Sequence, residues 1–321
     1  MSEPKEEPHA LPLAGVKVLD LTRVLAGPWA TMSLADMGAE VWKIENINGG
    51  DDTRAWAIPN YKGVGTYYLC ANRGKESIAV DLKHPEGRQI VRELAANADI
   101  VIENFRAGTV ERLGIGPDEL MKTNPRLVYC SISGYGSEGP RASQKAYDLL
   151  IQAESGLSAI NGTPEGPARV GVSVCDIACG MTAHQAVLEA LIGRGITGQG
   201  RHIAVSLFHA LADWMNVPYL QYVYGGKEPA RNGLSHPTIA PYGAFAGSDG
   251  KLVLLAIQNE REWSSFCAQV LNRADLATDP RFDSNANRAA HRDALDTIIA
   301  DAFAHHPRDT LSQRMHAAGI A

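Results

Sequence analysis

Along the first two thirds of the chain, short apolar runs alternate with longer stretches whose apolar residues recur at helical spacing. Val16 to Leu21 is β-branched and apolar, Ala26-Gly27-Pro28 supplies a turn with proline near a first helical position, Ala30 to Met37 is patterned as a helix, and Val41 to Ile44 is apolar again. A strand, crossover helix and strand within about 30 residues predict a parallel βαβ unit. Its first loop opens after Asp20 at the strand's carboxyl end, where open α/β sheets bind their ligands. The loop holds no GxGxxG, so the unit predicts an α/β fold without predicting a dinucleotide site.

Further strands are expected at Ser77 to Asp81, Asp99 to Glu103, Leu127 to Ser133 and His202 to Ser206, with helices over Pro85 to Ala98 and Met181 to Ile192. This alternation predicts one α/β domain over residues 13–205. Leu207 to Tyr224 reads as a long apolar helix interrupted at Pro218, giving a linker over 206–226. From 227 to 321 a loop rich in Gly and Pro, two strands (Tyr242 to Ala246, Lys251 to Ile257) and then helices predict a smaller α+β domain. Residues 1–12 are polar, acidic and proline-bearing, unlike a signal peptide, and read as a disordered tail. The chain stops on a glycine and the start of an apolar segment, so its last element reads as unfinished.

Composition narrows the function classes. A net charge of −6 argues against a general nucleic-acid binder, so an anionic ligand has to be met by local cations. No apolar run approaches the roughly 18 to 20 residues that cross a bilayer. The five cysteines form no CxxC and have no histidine at metal spacing, which predicts no metal centre and points to reduced thiols in a cytoplasmic protein.

Several motifs carry chemistry. Gly134-Tyr135-Gly136-Ser137-Glu138-Gly139 has the letters of a dinucleotide fingerprint, but Pro140 and Arg141 follow and the next helix is delayed to about Lys145, so a glycine-rich loop beside an active site is expected. Arg73, Lys75 and Lys83 surround a short strand and are candidates for gripping phosphates, and Arg106 and Arg112 join them from the next strand end. Phe105 is a candidate to stack on a base. Among the acids, Glu165 lies in a turn between glycine and proline residues, where a nucleophile is accessible and where solvated turn acids also occur; Asp148 begins a helix. The residues alone leave these two open. Asp176 reads as a helix cap or first-turn acid. No GxSxG elbow accompanies the ten histidines.

Taken together, Leu19 to Pro28, Lys43-Ile44-Glu45, Gly50 to Arg54, Asn72 to Lys83, Glu103-Asn104-Phe105, Gly134-Tyr135-Gly136 and Thr197 to Gly200 resemble the class III coenzyme A transferases, the group that contains formyl-CoA and carnitine CoA transferases. The resemblance spans about residues 13 to 321. It implies a Rossmann-like large domain with a parallel sheet, a smaller domain and an interlocked homodimer, and a carboxyl-terminal segment that returns to the large domain and is not in this chain. It places CoA contacts on Arg23, Val24, Leu25 and Ala26, on Val80 and Lys83, on Asn104 and Phe105, and on Arg112, with Arg106 substituting where Asn46 and Ser133 replace family cations, and Tyr135 in the glycine loop. The family's nucleophilic aspartate, in a turn of pattern TG(x)xDGPP, falls on Glu165; Asp148 is the other candidate.

The implied reaction moves CoA from an acyl-CoA to a small carboxylic acid, a dicarboxylic acid among the candidates, through a carboxyl-CoA thioester, with CoA as substrate and no separate cofactor. Arg231 and His236 are candidates for a distal carboxylate. The related α-methylacyl-CoA racemases place a histidine where this chain has Tyr147, a poor base near neutral pH, so transfer is preferred although Asp176 matches the racemase aspartate. A non-catalytic acyl-CoA-binding protein is the alternative outside enzymes, and a dehydrogenase a more distant one.

Overall fold

The computed structural model describes residues 10–56 and 59–321, and most of the expected tail, residues 1–9, lies outside them. The chain divides into two compact units, the first running to Ser158 and resuming over Arg169–Leu220, the second taking Ala159–Ala168 and Gln221–Ala321.

The first unit is built on six strands: β1 (Lys17–Leu21), β2 (Glu40–Glu45), β3 (Lys75–Ala79), β4 (Ile100–Glu103), β5 (Val128–Ser133) and β6 (His202–Ser206). They pair in parallel in the spatial order β3-β2-β1-β4-β5-β6. A parallel sheet covered on both faces needs apolar side chains on both, and Ile100, Val101 and Ile102 are accordingly all buried. One face packs against helices α1 (Ala26–Asp36) and α3 (Val174–Thr197). The other is covered by α2 (Pro85–Ala96), whose Val91 and Ala95 are buried with Leu19, Val101 and Tyr129.

This order winds outward in both directions from β1 and β4. The seam between them is the topological switch point, where the loops after neighbouring strands diverge and leave a crevice. The third strand begins two residues before the expected one, because the Lys75 side chain is drawn beneath the sheet to Asp20 and pulls the polar Lys75-Glu76-Ser77 into the ladder. The apolar stretch after β6 breaks at Met215 into helices Leu207–Trp214 and Asn216–Gly225, and Pro218 falls in the first turn of the second, where a missing N–H costs nothing. Among the described residues, no helix is long and apolar enough to cross a membrane.

In the second unit, strands Tyr242–Ala246 and Leu252–Ala256 form an antiparallel hairpin. Phe245, Trp263, Phe266, Phe282 and Phe303 fill the core beside it in edge-on and tilted contacts. The buried Arg288 donates two hydrogen bonds to Glu260 and lies 5.0 Å from the centre of the Trp263 ring. A second hairpin, Gly162–Thr163 with Gly166–Pro167, carries Glu165 in its turn.

Candidate active site

Because all six strands run the same way, their carboxyl ends lie along one edge of the sheet. That edge collects most of the residues singled out in the sequence: Arg23 to Ala26 follow β1, Val80 and Lys83 follow β3, Asn104 to Arg106 follow β4, and Tyr135 follows β5. Arg112 lies in the short helix Thr109–Leu113 beyond β4. Val80, Leu25 and Ala26 are buried, whereas Arg23, Lys83, Arg106 and Arg112 are exposed cations. The Asn104 side chain spans the seam between β1 and β4, accepting from the Arg23 amide at 3.0 Å and donating to the Arg23 carbonyl at 2.8 Å. Two of the other expected phosphate grips are otherwise engaged: Lys75 is buried against Asp20 at 3.0 Å, and Arg73 pairs with Asp36.

The loop after β1 is braced from beneath. Asp20 accepts from the hydroxyls of Thr22 and Thr31 and from Lys75. Burial alone raises its carboxyl, but the charges of Lys75 and Lys43 and the two hydroxyls outweigh it and hold the group far below the usual carboxylate range. The fully buried Lys43 donates to the Thr22 carbonyl at 2.8 Å and pairs with Asp51 at 3.0 Å. Glu45 gathers Arg54 through two bonds, Tyr68, Ser77 and the Asp51 amide; burial raises its carboxyl, and these donors bring it down to about 2. Val24 sits above this network in the left-handed region, with φ of 70°. A β-branched residue there is a true outlier. Gly27 closes the same loop, since any side chain would collide with Thr22.

Two carboxylates meet at the start of α3, and one of them faces this loop. Asp148 opens helix Asp148–Glu154 and turns back to the start of α3, where its Oδ1 accepts the Cys175 amide at 3.0 Å while Oδ2 accepts from Gln152 at 2.8 Å. It therefore does the capping that the sequence suggested for Asp176. Asp176, in the first turn of α3 and partly buried, lies close to the backbone amide of Ala26 at the start of α1, which favours its ionised form. Gly180, one turn on, permits this approach, because a Cβ there would stand 2.6 Å from the Ala26 carbonyl. Burial, then the neighbouring charge of Asp148, pushes the Asp176 carboxyl up to about 6. Tyr67 completes the group: its hydroxyl lies close to Ser173, and burial together with the charges of Asp176 and Asp148 raises its pKa. The amino terminus of α1 contributes the positive end of its dipole, a setting that favours an anion or a developing oxyanion.

Glu165 belongs to the other unit. It is exposed, and hydrogen bonds from Thr163 and from its own backbone hold its carboxyl below the ordinary value. Arg231 ties down that hairpin by donating to the carbonyls of Thr163 and Ala159, and His236 uses Nδ1 to accept the amides of Thr238 and Ile239 while stacking on Tyr242. In the glycine loop, the Gly136 amide is taken by Ser133 Oγ at 2.9 Å, Tyr135 packs on Phe208, and no helix begins before Asp148. Among the described residues, no group of three or more His, Cys, Asp or Glu side chains is placed to hold a metal ion.

Sequence reasoning missed the joint role of Asp176, Tyr67 and Ala26. Their only sequence signal is that each flanks a helix start, and their meeting depends on how α1 packs on α3.

The comparisons agree with this architecture. A succinate–glutarate CoA-transferase of Agrobacterium fabrum is 41% identical over 90% of this chain and 74% of its own length. An acetyl-CoA:oxalate CoA-transferase of Acetobacter aceti is 40% identical over 96% of this chain and 79% of its own. The crystal structure of a CAIB/BAIF family protein from Brucella suis superposes with a TM-score of 0.85 at 38% identity, covering 98% of this chain and 83% of that one. Among such curated relatives the chain spans between 66% and 79% of their length. The family model described as CoA-transferase family III matches residues 13–321. A doubly wound sheet whose switch-point loop meets a partly buried carboxylate, over a match that takes in nearly the whole chain, therefore places the protein in that family: it is a member of CoA-transferase family III.

Proposed function

We propose that this chain moves CoA from an acyl-CoA to a small carboxylic acid, with Asp176 as the nucleophile. The observation that carries the reading is the Asp176 carboxylate, partly removed from water and facing the Ala26 amide beside the switch point. Its oxygen attacks the thioester carbonyl, the C–S bond breaks, and CoA thiolate leaves a mixed anhydride. The thiolate then attacks the aspartyl carbonyl, releasing the donor acid and forming an aspartyl-CoA thioester. The acceptor carboxylate repeats the two steps in reverse, and Asp176 is regenerated. Burial serves this chemistry twice, by making the carboxylate more basic and by keeping water from the anhydride. The positive end of the α1 dipole favours the oxyanion charge that develops beside it.

The carboxyl edge is the proposed CoA site, with Arg23 to Ala26, Val80, Lys83, Asn104, Phe105, Arg106, Arg112 and Tyr135 as its contacts. Acyl-CoA and the acid are substrates, and the exchange is written with no prosthetic group. The relatives' names, succinate–glutarate and oxalate among them, favour a dicarboxylic acceptor. Two finer readings belong with it. Helix Asn216–Gly225 buries no residue and exposes Val217, Tyr219, Tyr222 and Val223, which supports a homodimer. Five free cysteines support a reducing cytoplasm.

The test is to incubate the protein with succinyl-CoA, trap with hydroxylamine or borohydride, and map the modified peptide by mass spectrometry. Modification of Asp176 is expected. Modification of Glu165 or Asp148 keeps the reaction but moves the nucleophile, and α-proton exchange without modification replaces transfer by racemisation.

A further inference from the structure

The geometry points to Asp51 as a positioning residue that holds Val24 in its left-handed conformation and so fixes the loop between β1 and α1. The inference rests on the proposed CoA-transfer site only in giving that loop its use.

Val24 has no local reason to sit at φ 70°, since a β-branched side chain disfavours that region by roughly tenfold or more. What holds it is outside the loop. Its amide points at the Asp51 carboxylate, 3.3 Å from Oδ1 and 3.2 Å from Oδ2. Asp51 is itself immobilised: it accepts from the Thr53 amide at 3.0 Å and the Thr53 hydroxyl at 2.7 Å, pairs with buried Lys43, and donates its own amide to Glu45 at 2.7 Å. Lys43 and Glu45 both lie in β2, so the sheet is linked through Asp51 to the Val24 amide. Lys43 also donates to the Thr22 carbonyl, so the same cation grips the loop two residues earlier. Both ends of the Arg23 peptide neighbourhood are thus fixed, by Lys43 and Asp51 on one side and by Asn104 on the other. The Ala26 amide that meets Asp176 follows two residues after Val24. Released, Val24 relaxes to negative φ and that amide turns away.

The experiment exploits the fact that glycine adopts positive φ without strain. Removing Asp51 alone strands the buried Lys43, so the pair is replaced together, Lys43→Met with Asp51→Leu, a change that keeps the interior apolar and uncharged. This double variant is expected to lose about tenfold to hundredfold in kcat/KM for CoA transfer, mostly in kcat, and addition of Val24→Gly is expected to restore it to within about threefold of Val24→Gly alone. Full activity in the double variant, or no recovery with glycine, overturns the inference. A second measurement does not depend on activity or on the variant folding. In the wild-type chain labelled with 15N-valine, the Val24 amide, assigned by its loss in Val24→Gly, is expected to be protected from hydrogen exchange; rapid exchange overturns the inference even if the chain transfers CoA. A protected amide in a chain without transfer activity leaves the hold standing and removes the function proposed for the site.

Discussion

The pH dependence of covalent adduct formation separates the two candidate nucleophiles. Asp176 is pushed up to about 6 from an ordinary 3.8, first by burial and then by the charge of Asp148, whereas hydrogen bonds from Thr163 and its own backbone hold the exposed Glu165 below its ordinary 4.5. Only the ionised carboxylate attacks the thioester. With a midpoint near 6 the nucleophile is about nine tenths ionised at pH 7 and about one tenth at pH 5, so the single-turnover rate falls about tenfold between them. An attack by Glu165 stays close to its plateau over the same interval. The assay is rapid mixing with a limiting acyl-CoA, quenching and quantifying the trapped protein adduct across pH 4.5 to 8. Asp148→Asn removes the second cause and leaves the first, so the limb is expected to move down without reaching 3.8. A wild-type limb centred below 4.5, or one that Asp148→Asn leaves in place, refutes the reasoning.

Other perturbations test the scaffold beneath the site. Burial pushes Glu103 up to about 7 from 4.5, so the folded chain keeps a proton that the unfolded chain releases between those values; the contribution of this one group to stability is therefore greatest below 4.5 and is lost as pH rises through 7. Glu103→Gln is expected to remove that slope, gaining about 3 kcal/mol on wild type between pH 4.5 and 8 in urea melts, and parallel curves refute it. Lys75→Met leaves Asp20 buried without its partner and is expected to cost about 3–5 kcal/mol, most of which Asp20→Asn in the same chain recovers; thermal melts that show no recovery reject the pairing. Gly180→Ala is expected to wedge α1 from α3, costing about 1–3 kcal/mol and lowering transfer more than CoA affinity, checked by calorimetry alongside kinetics.

The parallel sheet was legible because its strands are apolar on both faces and its turns are marked by glycine and proline. His202 to Ser206 is found with the expected bounds, and β4 and β5 differ from expectation by one residue. Strand β3 was displaced because Lys75 looks like a surface cation until the sheet brings Asp20 beneath it. The long α3 starts at Val174, seven residues before the expected helix, since its first turn is capped by the distant Asp148 and not by a local side chain. The loop residues of the candidate CoA site could be gathered from the sequence because they follow strand ends, and a parallel sheet sends all such ends to one edge. The carboxylates could not be sorted. Asp176 and Asp148 are set apart from Glu165 by burial and by neighbours 27 or more residues away, Cys175 for Asp148 and Ala26 for Asp176, and neither quantity is written in the local pattern.

The excursion of residues 159–168 out of one unit and into the other bears on the order in which the protein can be made. The hairpin that presents Glu165 is held by Arg231, 68 residues downstream of Thr163, and by the Gly233 amide on the Gly162 carbonyl. At about 5–20 residues per second, a ribosome delivers those partners roughly 3–14 seconds after the hairpin itself. Strand β6 is made within that interval, so the six-stranded sheet has all its strands while the hairpin's carbonyls still face water. A nascent chain thus passes through a stage with a complete sheet and an unanchored Glu165 turn, and it is the second unit, not the sheet, whose closure waits on translation.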